Sequence, residues 1–292
     1  MRIMTSNIWG DFFQNPTRLR TDALYRVYQN YTPDVIGFQE AAQGWYDVDL
    51  FWKLGENYHL IGTECCNNTN STPLAVKKEY TVLSYGHEQL ERTPDWSKSI
   101  TWAVLEKAKQ RLAVCNTHFW WMRGPVSAQL KEKCHASGYD LQDHNALRAQ
   151  NAAQLSNLMH ALHTRYTCPV FAFGDMNATI SEEVFAVYAK NGIRHLFDLA
   201  KEKDTTCSIH GDPVRGEDGF FHGKRVTPDY LKRMRAVLEL PEDPAAEGYL
   251  TSIDHIIALG ENFEVSQYRV VEDQDALDAT DHSPVYVDLT LG

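Results

Sequence analysis

The run PVFAFGDMNAT, residues 169–179, sets an aspartate and an asparagine, Asp175 and Asn177, directly behind a hydrophobic stretch. Other apolar runs carry polar groups in the same way. Asn7 lies in RIMTSNIW, Glu40 closes DVIGFQE, Asn116 and His118 close RLAVCNTHF, Asp254 interrupts SIDHIIAL, and Asp281-His282 stands before PVYVDLTL. Carboxylates, amides and imidazoles gathered in one place hold hard cations and move protons. Taken singly, an Asp or Asn behind a strand is ordinarily a turn or cap residue. Asp254 is harder to explain that way. An unpaired carboxylate inside an apolar strand costs roughly several kcal/mol unless a partner meets it, and His118 and His282 are the candidates. The recurrence of such positions, more than any one of them, points to a shared site.

The elements that must position these groups read mostly as strands. RIMTSNIW (2–9) alternates, and Pro33 introduces DVIGFQE (34–40). Further strand-like runs are YHLIG (58–62), EYTVLSY (79–85), SITWAVLE (99–106) and RLAVCNTHF (111–119), the last two joined by the polar turn KAKQ. SIDHIIAL (252–259), FEVSQYRVV (263–271) and PVYVDLTL (284–291) close the chain. Helical spacing occurs at Leu19, Ala23, Leu24, Val27 and Tyr28 within 17–31, behind Pro16, and again over 145–163. Strands that follow one another through short turns favour mixed or antiparallel sheets covered by helices over a purely parallel, doubly wound sheet. No repeat, low-complexity segment or linker divides the chain, so a single domain over 1–292 is expected. Two stretches read as irregular, 120–143 and a long insertion at 205–249, which is rich in Gly, Pro and charge. Loops of that length are functional lids or disordered segments.

Bulk properties narrow the function classes. With 292 residues, 43 % of them apolar, the chain can bury a substantial core. Lys and Arg number 28 against 39 Asp and Glu, a formal charge of −11, so no general basic surface advertises nucleic-acid binding. Metal-bridged phosphate sites are themselves acidic, and an acidic balance does not exclude them. The cysteines, Cys65, Cys66, Cys115, Cys134, Cys168 and Cys207, form no C-x-x-C pair and read as reduced thiols of a cytoplasmic protein. MRIMTSNIWG lacks an apolar signal region and no 18-residue apolar run occurs, so no membrane insertion is expected.

The motifs TSNIW, GFQE, NTHF, GDMNAT, SIDHII and TDHSPV, in that order across residues 5–285, resemble the motif set of the endonuclease/exonuclease/phosphatase superfamily. Its members include deoxyribonuclease I, apurinic endonucleases, neutral sphingomyelinases, inositol-polyphosphate 5-phosphatases and deadenylases. The resemblance implies a four-layer α/β sandwich: two mixed β-sheets packed face to face, helices outside, and strand ends converging on one cleft. It also implies phosphoester hydrolysis assisted by Mg²⁺, with Mn²⁺ as a substitute. Such a reaction neutralises charge on phosphoryl oxygens, activates a water in line and stabilises the leaving oxygen.

By the same resemblance each residue acquires an expected role. Glu40 matches the metal-binding glutamate, with Asn7 beside it and Asp281 a carboxylate of the same cluster. Asp175 matches the residue that orients or deprotonates water, and Asn177 one that hydrogen-bonds a phosphate oxygen. Strand alternation would send both to one side, with Gly174 allowing a close turn and Met176 as filler. His282 matches a phosphate-contacting histidine and Asp254 its buried partner. His118 resembles the general acid of the deoxyribonuclease I and sphingomyelinase branches, which argues against the apurinic branch. In those branches a glutamate six residues before a tyrosine orients this histidine, and Glu79 and Tyr85 have that spacing. Lys98 aligns where relatives often carry Arg, keeping the charge but losing the bidentate fork. Asn116 reads either as a further phosphate contact or as a structural strand end. The insertion, with His210, Arg215, His222, Lys224 and Arg225, reads either as a substrate-selecting lid or as a solvated excursion. Trp120 and Trp121 either stack a base or sugar or pack a core.

The expected function is therefore a metal-dependent phosphodiesterase or phosphomonoesterase on a small phosphorylated metabolite, lipid headgroup or sugar phosphate. A nuclease acting on DNA or RNA is the alternative and predicts basic strips beside the site. A non-catalytic binding module on the same scaffold would be expected to have lost some of these side chains.

Overall fold

β-Branched and aromatic residues fill the short runs that the sequence marks as strands, and most of these runs are buried on both faces. A computed structural model of the chain describes residues 1–11, 15–63, 70–217, 221–224, 227–237 and 247–292. In chain order the strands are β1 (Arg2–Asn7), β2 (Val35–Gln39), β3 (Tyr58–Ile61), β4 (Leu74–Lys77), β5 (Thr81–Gln89), β6 (Ser99–Lys107), β7 (Gln110–His118) and β8 (Val170–Asp175). They continue as β9 (Arg194–His195), β10 (Glu202–Lys203), β11 (Gly211–Arg215), β12 (Phe221–Lys224), β13 (Asp254–Leu259), β14 (Phe263–Val270) and β15 (Val285–Leu291).

Two sheets carry the site. One has seven strands in the order β10-β14-β15-β1-β2-β4-β3, and the other six, β5-β6-β7-β8-β13-β9. Both are mixed: β1 runs parallel to β2 and antiparallel to β15, while β7 runs parallel to β8 and β8 antiparallel to β13. Between the sheets lies one core cluster, with Ile3, Val35, Val76 and Val287 from one side and Leu112, Phe171, Phe173 and Ile256 from the other. The outer face of the first sheet presents Met4, Ile36 and Ala75 to Leu24 and Val27 of the helix Thr21–Tyr31. The outer face of the second presents Ala113, Val170 and Ala172 to Ala152, Leu155 and Met159 of the helix His144–Tyr166. Helix, sheet, sheet and helix make the four-layer α/β sandwich.

The two sheets are also joined by polar contacts close to the site. Asn116 of β7 is fully buried; its amide nitrogen donates to the carbonyls of Phe38 (2.7 Å) and Pro73 (3.0 Å), and its oxygen accepts from Gln39 Nε2 (2.5 Å). Gly37 lies at the same crossing, where an added Cβ would come within 2.3 Å of the Phe173 ring.

Both stretches expected to be irregular contain structure. Residues 120–143 include the helix Ala128–Ala136, with a small core of Trp120, Cys134, Leu141 and Leu147. The 205–249 insertion contains the β11–β12 hairpin and the helices Pro228–Val237 and Glu247–Thr251. Cys65, Cys66 and Arg225, and the side chains of Arg215, His222 and Lys224, lie outside the described parts. Among the described residues no helix is long and apolar enough to cross a membrane.

Candidate active site

Register assembles half of the site. On the second sheet His118 is the parallel partner of Asp175, and Asp175 the antiparallel partner of Asp254. Directly opposed residues on neighbouring strands share a face, so three ionisable side chains stand abreast across β7, β8 and β13. All three are buried, at 2–3 % exposure. Gly174 makes this spacing possible. Its φ of +151° and the Thr117 carbonyl oxygen, 1.9 Å from where a Cβ would sit, leave room for no side chain.

The facing sheet supplies the other half. Asn7 ends β1, Glu40 follows β2 with φ +58°, and Asp281-His282 precede β15. The amide of Asn7 spans the two sheets, donating to Glu40 Oε1 and to Asp175 Oδ2, each at 3.1 Å. The second oxygen of Glu40 accepts from the Gly10 backbone N–H at 3.0 Å. Thr280 holds the 280–282 turn against β1 by donating its hydroxyl to the Asn7 carbonyl at 2.7 Å.

Of the two candidate partners for Asp254, the structure brings His282. Its Nδ1 is 2.8 Å from Asp254 Oδ2, and its Nε2 is 4.0 Å from Asp175. Burial opposes charge on His282, but Asp254, Asp281 and Asp175 outweigh it and hold the imidazole well above its ordinary range, as an imidazolium. Asp175 moves the other way. Burial and then Asp254 push its carboxyl up to about 7, against the opposing pull of His282 and Lys98. Burial and Glu40 push Asp281 up to about 6, with His282 opposing.

His118 and Lys98 form a second pair. Both are buried, and the Lys98 ammonium lies 2.7 Å from Nε2 of His118 and 3.2 Å from Nδ1. Burial first, and then Lys98 and His282, hold His118 well below the usual histidine value. The imidazole is therefore neutral and accepts a hydrogen bond from the Lys98 ammonium. Asp175 Oδ2 is 3.4 Å from the same Nε2.

Three expectations are corrected. Glu79 does not orient His118. It pairs with Lys107 at 2.7 Å, at the end of β6 opposite Ser99, whereas His118 follows the residue opposed to Ile100. Asn116 is no substrate contact, because its amide is fully engaged between the sheets. Strand alternation does not align Asn177 with Asp175, since β8 ends at Asp175 and Asn177 has φ +48°. An Asx-type turn joins them instead: the Asn177 N–H donates to Asp175 Oδ1 at 2.8 Å. His210 is buried, with Nε2 2.9 Å from the Ser283 hydroxyl. Trp120 is buried against His144, while Trp121 is 57 % exposed.

Two supporting residues escaped the sequence reading. Ser208, at the start of the insertion, donates to Asp254 Oδ2 at 2.8 Å and accepts the backbone N–H of Ile253 and Asp254. Nothing local distinguishes that serine. Arg20 is buried between Trp9 and Trp45, and its guanidinium donates to the carbonyls of Ile8, Trp9, Gly10, Asn15 and Ala279. Burial lowers it to about 10, while Asp281, Glu40 and Asp11 oppose. An arginine four residues before Leu24, on the apolar side of a helix start, was the available signal.

Among the described residues two donor groups are close enough to hold a cation: Glu40, His118 and Asp175, and Asp175, Asp254 and His282, each within 4.8 Å. Chemistry separates the donors. His282 is an imidazolium paired with Asp254, and His118 faces an ammonium, so neither ring suits a metal. Glu40 and Asp281 are the hard oxygen donors, whereas Asn7 faces Glu40 through its amide nitrogen and its oxygen accepts from the Trp9 N–H at 3.0 Å. Asp281 Oδ1 is buried without a hydrogen-bond donor. That oxygen is what a hard cation would satisfy, so these residues fit one.

No protein-family model matches this sequence, and a search of curated proteins finds no match either. Solved structures do match. An endonuclease/exonuclease/phosphatase from Bacteroides vulgatus superposes with TM-score 0.67 at 18 % identity, covering 100 % of this chain and 98 % of its own. The mannosyl-6-phosphatase of Bacteroides thetaiotaomicron gives 0.64 at 13 %, covering 100 % of both chains. The human Nocturnin catalytic domain with bound sulfate anion gives 0.63 at 14 %, covering 100 % of this chain and 94 % of its own. The chain has the fold of the endonuclease/exonuclease/phosphatase proteins.

Proposed function

We propose that this chain hydrolyses phosphoric esters of small molecules, such as a phosphorylated metabolite, a sugar phosphate or a lipid headgroup, with a divalent cation. The observation that carries this reading is the buried cluster at the seam of the sheets, in which a carboxyl near neutrality, an imidazolium, a neutral imidazole with its ammonium and a set of hard oxygens meet. Glu40 and Asp281 would hold the cation, Mg²⁺ with Mn²⁺ as a substitute, and the Asn7 amide would steady Glu40. When bound, it supplies charge neutralisation for the phosphoryl oxygens and the leaving oxygen.

The side chains divide the remaining work. Asp175, poised at about 7, accepts the proton of the attacking water, and the Asn7 amide fixes its Oδ2. The His282 imidazolium, steadied by Asp254, donates to a phosphoryl oxygen where negative charge grows. The Asn177 amide has one hydrogen on the Phe119 carbonyl at 3.2 Å and offers the other to the phosphate. His118 stands for the leaving-group acid. The negative charge of an arriving phosphate raises its basicity, and Lys98, at 2.7 Å, is the proton donor at hand. The imidazolium so formed gives its proton to the leaving oxygen, and the neutral Lys98 amine left behind regains a proton from water before the next turnover.

The mannosyl-6-phosphatase likeness supports a phosphorylated sugar among the candidate substrates. Nucleic acid is disfavoured by the charge of −11. Cys115, Cys134, Cys168 and Cys207 are free and buried, which supports a reducing, cytoplasmic setting. The test is hydrolysis of bis-p-nitrophenyl phosphate and mannose 6-phosphate with Mg²⁺ or Mn²⁺. Asp175→Ala is expected to cost about 10²–10⁴-fold in kcat. Turnover unaffected by EDTA, or equal in Asp175→Ala and wild type, would overturn the reading.

A further inference from the structure

Asn177 sits in a turn whose backbone is held almost entirely by side chains from elsewhere. Its N–H donates to Asp175, and its carbonyl accepts from Arg123 Nη2 at 2.8 Å. The next carbonyl, of Ala178, accepts from His255 Nε2 at 2.9 Å, and the Thr179 N–H donates to Glu182 at 2.9 Å. Two of these holders, Asp175 and Glu182, are close in sequence, and Arg123 and His255 come from farther along the chain. Arg123 and Glu182 are joined to each other, and Glu182 also to Arg148. His255 continues into a chain of its own: its Nδ1 is 3.0 Å from His195 Nε2, and His195 Nδ1 is 3.1 Å from both the Phe197 N–H and the Tyr249 hydroxyl.

The direction of every bond in that chain is settled by its ends. A carbonyl only accepts, so His255 carries its hydrogen on Nε2 and presents a bare Nδ1. A backbone N–H only donates, so His195 Nδ1 is bare and its hydrogen is on Nε2, aimed at His255. Both rings are buried in an aromatic setting, with Phe185 edge-on to His255 at 4.7 Å and Phe197, Tyr249 and Tyr268 around His195. Burial holds both well below the ordinary histidine range, which keeps the rings neutral and the direction unique.

The geometry points to His255 as a positioning residue for Asn177: the chain Tyr249–His195–His255 grips the Ala178 carbonyl and so fixes the amide presented to phosphate. Tyr249 lies in the helix Glu247–Thr251, so the end of the insertion is coupled to the phosphate-holding turn. The inference rests on the phosphate-binding role of Asn177 proposed above.

The experiment is titration of the protein with inorganic phosphate, followed by calorimetry, which needs no turnover. Asn177→Ala and His255→Phe should each weaken phosphate by about tenfold, the effect of one hydrogen bond to a charged group. His255→Gln, whose amide nitrogen reaches the place of Nε2, should stay within about threefold of wild type. In turnover the His255→Phe defect should appear in KM more than in kcat. Phosphate binding unchanged in His255→Phe but weakened in Asn177→Ala would overturn the positioning role alone. Binding unchanged in Asn177→Ala would overturn the reading on which it rests. If His255→Phe does not fold, the wild-type protein decides: long-range ¹H–¹⁵N spectra should show both rings with the hydrogen on Nε2, and a hydrogen on Nδ1 of His255 would sink the proposal.

Discussion

Lys98 and His118 show how far residue types alone can carry a reading. The lysine was legible as a charge near the site, and the histidine as an acid, but their contact changes both. An ammonium 2.7 Å from the ring makes the resting histidine a base. Removing it in Lys98→Met takes away a positive neighbour, so the His118 pKa should rise, read by NMR titration of its ring protons. A fall, or no change, would show that the lysine does not govern the ring. Glu79 failed as its partner for a physical reason. Spacing along one strand says which face a side chain takes, but not which end of the sheet it reaches. Asn7, Glu40, Asp175, Asp254, Asp281 and His282 were legible because polar groups at strand ends are conspicuous against apolar runs. Ser208 was not, since its partners lie far along the chain, and Arg20 was overlooked because its partners are backbone carbonyls, which no side-chain pattern marks.

Among the elements, the longer strands and the helix over 145–163 follow their patterns, and the helix extends only to His144–Tyr166. The strand β4, LAVK, was missed because four residues carry no period to count. Its place between β2 and β3 is set by pairing alone. The β13 and β9 strands also carry the two buried histidines, and these give the fold a pH signature. His255 is lowered to about 4, chiefly by burial. A depressed folded pKa gives a contribution that is complete above the ordinary value near 6.5 and is lost as pH falls through about 4. Asp175, raised to about 7, has the opposite sign: its contribution is complete below the ordinary carboxylate range and is lost as pH rises through about 7. Comparing wild type with His255→Gln isolates the first. Between pH 7 and pH 4.5, denaturant unfolding should show wild type losing about 2 kcal/mol more than the variant. Parallel pH profiles would contradict it.

For the whole molecule, the sandwich was legible through its ordered motifs and not through hydrophobic pattern. VFAFGD is buried at every position, so a central strand offers no polar alternation from which to infer which face meets which sheet. The sheets approach closely at Gly37, where a Cβ would meet Phe173 at 2.3 Å and the Asn116 oxygen at 2.6 Å. Gly37→Ala should therefore cost about 2 kcal/mol in unfolding free energy as the crossing is forced apart. Equal stability would mean that the sheets separate there without penalty.

The seam has one more consequence. Asn7, Glu40, Asp281 and His282 ride on one sheet, and Lys98, His118, Asp175 and Asp254 on the other. The span between the two sets is a mechanical clearance, held by the Asn116–Gln39 clasp and the apolar filling behind it. A substitution deep in that filling touches no reacting group, yet it resets the gap across which they cooperate. Under the proposed hydrolysis, turnover would be a gauge of interior volume, and repacking the middle of the sandwich should register as slowed chemistry before it registers as lost stability.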